Sequence, residues 1–355
     1  MKEQKRIIFF IILFVVFKVF SFGQERGNSM GIIGIDPKFN GFFNFDLFST
    51  MDENQYDSEI FNQSSPAGDS KMSSDPESDF TFVRSTDGNS VTITGYAATK
   101  QVVNIPPEIR GLPVTLIGDN AFHRKNLTRV TIPESIIIIG KFAFGGNGLT
   151  SIIIPSSVTQ VGDYAFNGNQ LTSVTIPTSV TIIGEGAFSN NKLNNVTIPD
   201  SINRIGKSAF ADNQLTSVTI PNNLRQLDHG IFENNRLTSV IIPNNITSIG
   251  NSVFRNNQLT SVIISTSVTS IGLFAFYQNK LTSIIIPQSV TSIEGQAFSG
   301  PGLGGPYNQL TSITIGSNVN IGNQVFPGDF IRVYQSSNRR AATYVNRNGS
   351  WSEDW

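Results

Sequence analysis

Apolar residues along this chain recur with a step of 22. Leu127, Leu149, Leu171, Leu193, Leu215, Leu237, Leu259 and Leu281 are each 22 residues apart, and Leu310 follows after seven extra residues. Phe122, Phe144, Phe166, Phe188, Phe210, Phe232, Phe254, Phe276 and Phe298 keep the same step, and Phe326 closes the series. A fixed period of this size marks a solenoid, in which each unit buries its apolar side only against its neighbours. One unit, Leu171 to Lys192, reads LTSVTIPTSVTIIGEGAFSNNK. Leu171, Val174 and Ile176 predict a short strand, Val180 and Ile183 a second apolar pair, and Ala187 with Phe188 the far side. Pro177 ends the first strand because it has no amide hydrogen for a ladder. It recurs as Pro133, Pro155, Pro199, Pro221, Pro243 and Pro287. Strands pair about 4.8 Å apart, so about ten rungs would form an arc roughly 50 Å long.

Polar positions repeat as well. Asn147, Asn169, Asn191, Asn213, Asn235, Asn257, Asn279 and Asn308 each lie two places before a leucine of the series. A side-chain amide both donates and accepts. Stacked at one height, these amides are expected to satisfy turn backbone between rungs, as a buried polar row must be paired. The open ends of such a stack need covers. Residues 80–121, with strand-like alternation around Asp87-Gly88, are expected to form an N-terminal cap and first rung. The stack then runs over 122–329. Residues 330–355, with the turn signal Asn348-Gly349, are expected to form a C-terminal cap or tail.

The first 79 residues break the pattern. Lys2, Lys5 and Arg6 precede the apolar run Ile7 to Phe17, and Ser21-Phe22-Gly23 supplies small residues where a signal peptidase would cut. Residues 1–23 therefore read as a cleaved export signal. The run is shorter than the roughly 20 residues of a spanning helix, so no transmembrane span is expected in the mature chain. Residues 24–79 read as an acidic, disordered tether, because they are too polar to offset chain entropy. Within them, Phe39, Phe42, Phe43, Phe45 and Phe48 are crowded together. They read either as a segment packed on the stack or as a docking motif for a partner.

Charge separates these regions. Residues 36–79 carry ten acids and two bases, a balance of −8, whereas residues 80–355 carry eighteen bases and fourteen acids, a balance of +4. The whole chain sits at −1 with only 14 % charged residues, which argues against nucleic-acid binding. It has no cysteine, which removes thiol catalysis, cysteine-ligated zinc and disulfide staples. Stability must come from the core alone.

The unit L-x-x-V-x-I-P-x-S-V-x-x-I-G-x-x-A-F closely resembles the BspA-type (treponemal-type) leucine-rich repeat. The opening VVNIPPEIRGLPVTLIGDNAF, Val102 to Phe122, is similar to that family's first rung. The resemblance covers about residues 80–334, with period, proline, I-G and A-F recurring together. It implies a β-rich leucine-rich-repeat solenoid of stacked short parallel strands with little helix. It also implies a secreted or cell-surface protein that binds other proteins, in the way that members contact host matrix proteins and other cells. The family shares no catalytic residues.

The residues themselves agree with a non-enzyme. His123 and His229, the only histidines, sit in turns of different rungs and read as solvated. Asp163, Glu185 and Asp228 lie in separate turns, without the pairing that glycoside hydrolysis would need. The glycine-rich run Gly300 to Tyr307 lacks a Walker-type lysine, and Asp52 to Glu59 lacks the calcium-loop spacing. No catalytic residue, cofactor or metal is assigned.

The outward strand positions, mostly Thr, Ser and Ile, read as a flat, weakly charged face. It suits either multivalent contact with a protein or plain solvation. Three places break its monotony as candidate partner contacts. Arg204 and Arg225 fall at adjacent outward positions of neighbouring rungs. Leu273, Phe274 and Tyr277 crowd one turn. The insertion ending at Tyr307 adds a loop, and such insertions often map to a binding face. The expected function is an exported, adhesin-like protein-binding module, with a structural scaffold of the cell envelope as the alternative. The sequence leaves the oligomeric state open.

Overall fold

The computed structural model describes residues 73–299 and 308–354. The expected export signal, the Phe39–Phe48 cluster and the loop ending at Tyr307 lie outside the described residues. The repeats wind into a solenoid in which most turns offer two short parallel strand segments. The first is the Leu-to-Pro segment, as in Ser173–Thr175, whose residues pair with Asn195–Thr197 in a register of 22: Ser173 with Asn195, Val174 with Val196, Thr175 with Thr197. The second is the pair before the glycine, as in Ile182–Ile183, which lies between Gln160–Val161 and Arg204–Ile205. Strands this short follow from the spacing: the proline closes one and the glycine turn closes the other.

That glycine is a steric requirement. A Cβ on Gly184 would stand 2.5 Å from the amide nitrogen of Asp163 in the rung below, and one on Gly206 would stand 2.4 Å from that of Glu185. Asp228 occupies the same column. There the second-strand sheet stops at Arg204–Ile205 and a new one starts at Gln226–Leu227. Glu294 is the other exception, yet its amide still donates to the Ile271 carbonyl at 2.8 Å, and Gly295 follows it. The first-strand column is also interrupted in this rung, which contributes no strand between Asn195–Thr197 and Ser239–Ile242.

Two interior columns run through both interruptions. The phenylalanine rings from Phe122 to Phe326 stack one per rung, with centroids 5.1–5.9 Å apart. The widest step, 5.9 Å, is Phe210 to Phe232, across the broken ladder. Stacked rings of this kind add about 0.5–1.5 kcal/mol per pair beyond area burial. The expected asparagine row is present and fully bonded. Asn213 Oδ1 accepts the Leu193 amide at 3.0 Å, and its Nδ2 donates to the carbonyls of Phe188 and Phe210 at 2.9 and 3.2 Å. Asn235 repeats this with Leu215, Phe210 and Phe232. Asn308 does so with Leu281, Phe276 and Phe298, after the insertion.

A second aromatic file follows the turn side at the N-terminal end. His123 stacks on Phe142 at 5.3 Å, and Phe142 on Tyr164 at 4.8 Å. His123 is thus half-buried against a ring rather than a solvated turn residue. The Tyr164 hydroxyl donates to the Glu185 carboxylate of the next rung. That bond, aided by burial, pushes the Tyr164 phenol up to about 12.

The ends of the phenylalanine stack are closed by rings set at an angle. Phe80 and Tyr96, from the antiparallel pair Phe80–Arg84 and Val91–Tyr96, lie 6.2 and 5.5 Å from Phe122. Ahead of this pair, Asp75 and Asp79 both hold Lys100, and Glu77 accepts the Arg110 amide. At the other end Phe330 meets Phe326 at 61° and 4.7 Å, with Tyr344 and Trp351 edge-on to it. Phe330 and Tyr334 are the buried residues of a seven-residue helix, Phe330–Ser336. The hairpin Ala342–Arg347 with Ser350–Glu353 turns at Asn348-Gly349, where both residues have positive φ.

Two outcomes test this interior. Asn235→Ala strands the Leu215 amide and removes one of the two asparagine donors from the Phe210 and Phe232 carbonyls, and should lower unfolding free energy by about 2 kcal/mol. Exposed Asn203→Ala should stay within about 0.5 kcal/mol of wild type in the same urea titration. Separately, raising the phenol's value favours the protonated form in the fold. Its contribution is therefore complete below the ordinary tyrosine value near 10 and fades as pH climbs towards 12. Absorbance at 295 nm, wild type minus Tyr164→Phe, should titrate near 12. Glu185→Gln should bring that midpoint down towards 10, the ordinary tyrosine value.

Candidate interaction surfaces

The first-strand face presents one outward column that differs from rung to rung. It holds Thr131, Ile153, Thr175, Thr197, Thr219, Ile241, Ile263, Ile285 and Thr314. The face is therefore not nearly uniform, as the Thr/Ser/Ile pattern suggested. Ile241, Ile263 and Ile285 fall on three consecutive rungs and remain 64, 57 and 67 % exposed. Ile241 and Ile263 are paired in register. A row of aliphatic side chains left in water is the kind of patch that marks an interaction site. Ile153 is more exposed, at 83 %, but stands alone between threonine rungs.

The same face is split beside this row. Ser239–Ile242 pairs with Ser261–Ile264, and Ser283–Ile285 pairs with Ser312–Ile315, but no ladder joins Ser261–Ile264 to Ser283–Ile285. A cleft of about 320 Å³ lies between them, lined by residues 260–264 and 283–285. On the other side of Ile263 a shallower depression of about 590 Å³ includes Ile241, Pro243 and Asn245.

The residues singled out from sequence fall elsewhere. Arg204 ends the first second-strand sheet, level with Ile182, and Arg225 lies one column over in the next rung, so the pair flanks the broken ladder. Both side chains are exposed, and among the described residues neither makes an ion pair. Phe274 and Tyr277 are brought together edge to face at 5.1 Å. The Arg255 guanidinium lies over both rings, at 5.7 and 5.8 Å, and bridges to Glu233 at 3.0 Å. Burial pushes the Glu233 carboxyl up, and Arg255 pulls against it. Arg255 Nε is buried without a partner. Leu273 is exposed, and its amide donates to Asn251 and Glu294. Phe274 holds a left-handed φ of 58°, a conformation costing roughly 1–2 kcal/mol for a bulky residue. The Phe274–Tyr277 pair is thus a fixed aromatic and cationic knob on the turn side.

Sequence reading missed the isoleucine row, the cleft beside it, Arg255 and the file of His123, Phe142 and Tyr164. Aligning each repeat position as a column would have found the row and the Phe142–Tyr164 step. Nothing in the sequence marks the cleft, which is a missing ladder rather than a residue type. Among the described residues, no group of three or more acids and histidines could hold a metal ion.

Residues 115–238 and 226–333 match the family model of the BspA type leucine rich repeat region. A leucine-rich repeat protein from Bacteroides ovatus is 29 % identical, over 70 % of this chain and 67 % of its own, with a TM-score of 0.61. A leucine-rich repeat protein from T. pallidum is 28 % identical, over 52 % of this chain and 88 % of its own, with a TM-score of 0.45. No curated protein matches the chain. The family match spans more than half of the sequence with six repeat copies, and the chain belongs to the BspA-type leucine-rich-repeat family.

Proposed function

We propose that this chain is an exported protein-binding module of the cell surface that acts in the manner of an adhesin. Its partners are proteins of the host matrix or of other cells, met through the first-strand face. The carrying observation is the row Ile241, Ile263 and Ile285, left 57–67 % exposed on a face that the interior does not use. Water-exposed aliphatic groups on consecutive rungs offer repeated weak contacts, and repetition multiplies weak contacts into useful avidity. Arg204 and Arg225, Leu273, Phe274 and Tyr277, and the loop ending at Tyr307 are secondary contact points in this reading. Export rests on the signal-like start, Lys2 to Gly23. Among the described residues no helix is long and apolar enough to cross a membrane. The fold is in general a non-catalytic one, and the reading assigns no reaction.

The test is binding of the full chain to immobilised matrix proteins and to intact cells. Saturable binding is expected, with Kd on the order of micromolar, weakened by Ile241→Thr combined with Ile263→Thr. Binding to neither matrix nor cells, with crosslinking in the producing cell yielding only envelope partners, would replace adhesion with the scaffold role.

A further inference from the structure

We propose that the cleft between Ser261–Ile264 and Ser283–Ile285 seats an extended, uncharged polypeptide segment with aliphatic side chains at alternate positions. The inference rests on the protein-binding reading above and names its site and the chemistry of its partner.

Three observations converge there. The two strands bordering the cleft are each paired on their far side and unpaired across it, and here, unlike at rung 217–219, the sheet parts between two fully formed strands. Val262 forms part of the lining and is only partly buried, as is Val218 in the rung that forms no first strand, whereas the equivalents Val174, Val196 and Val240 are 3–8 % exposed. Ile263 and Ile285 stand as walls at 57 and 67 % exposure. An apolar floor between apolar walls stabilises an aliphatic group by about 25 cal/mol per Å² removed from water.

The shape and charge of the cleft select the occupant. It follows the strand direction for five residues, 260–264, or about 17 Å at 3.4 Å per residue. That length suits a short extended segment. Such a segment directs every second side chain downwards, and the exposed hydroxyls of Ser261 and Ser283 lie at the rim for its backbone. The lining of Thr, Ser, Val and Ile contains no charge. A buried acidic or basic side chain would therefore lose its hydration without a counter-charge. A second copy of the chain would need about 800 Å² per protomer for a stable interface, and a strip this narrow falls short of that.

The experiment uses the full chain and a fluorescein-labelled octapeptide, Gly-Ser-Val-Thr-Val-Ser-Val-Gly. A second peptide has glutamate in place of each valine. Anisotropy should show saturable binding of the valine peptide and none of the glutamate peptide. Ile263→Thr with Ile285→Thr should raise Kd at least tenfold. Threonine is already native to this column at Thr175, Thr197 and Thr314, so the fold should hold, and an unchanged thermal midpoint would confirm it. Ile153→Thr, outside the cleft, should leave Kd unchanged. No binding of the valine peptide, equal binding of the glutamate peptide, or wild-type Kd in the double variant would each overturn the proposal. A chain that binds matrix proteins or cells but not the valine peptide keeps its adhesive role and loses this site. A chain that binds none of them loses both.

Discussion

One side-chain amide, satisfied from two turns at once, sets the pitch of this solenoid. Each asparagine of the series accepts the leucine amide of the turn before it and donates to phenylalanine carbonyls of both turns. Those bonds can all form only when the turns stack in register with the phenylalanine rings overlaid. Buried polar groups left unmade cost about 1–3 kcal/mol each, so a slipped turn is penalised at several atoms together. Rings, amides and leucines are thus one device repeated at every turn.

This device relieves the strands of the work of holding the stack. They are short, and both strand columns can stop, as they do around Asp228, while Asn213, Asn235, Phe210 and Phe232 continue past the gap. The outer strand positions are then free to vary. Threonine fills five of the nine positions in the column, and isoleucine replaces it at Ile153 alone and on three consecutive turns that include a parted ladder. The interior stays constant while the outer surface changes, which is how a repeat fold can vary one face without losing stability.

The interior was legible in the sequence because each buried column must hold nearly the same residue in every turn. Leu127 to Leu310, Phe122 to Phe326 and Asn147 to Asn308 announce themselves by period alone. The outer face was legible only in composition. That Ile241, Ile263 and Ile285 form a row in water depends on which strand residues point outwards, and the cleft beside them depends on a pairing that fails between two ordinary-looking strands. Arg204 and Arg225 were visible as exceptions, but the broken ladder between them arises at Asp228, in a different column. The helix Phe330–Ser336 is too short to display a helical period, although Phe330 and Tyr334 are spaced by four as one of its faces requires. His123 looked like an isolated turn residue because its ring partner, Phe142, is nineteen residues away rather than twenty-two.

Native-state amide hydrogen exchange addresses the central claim most directly, because it reads each rung-to-rung bond separately. If the asparagine row holds the stack, the amides of Leu193, Leu215 and Leu237 should exchange equally slowly, straight through the turn where both strand ladders stop. Amides of the unpaired segment 217–219 should exchange far faster than Leu215 beside them. Rapid exchange at Leu215, with protection confined to turns whose strands are paired, would show that the strand ladders carry the fold, and would contradict the account.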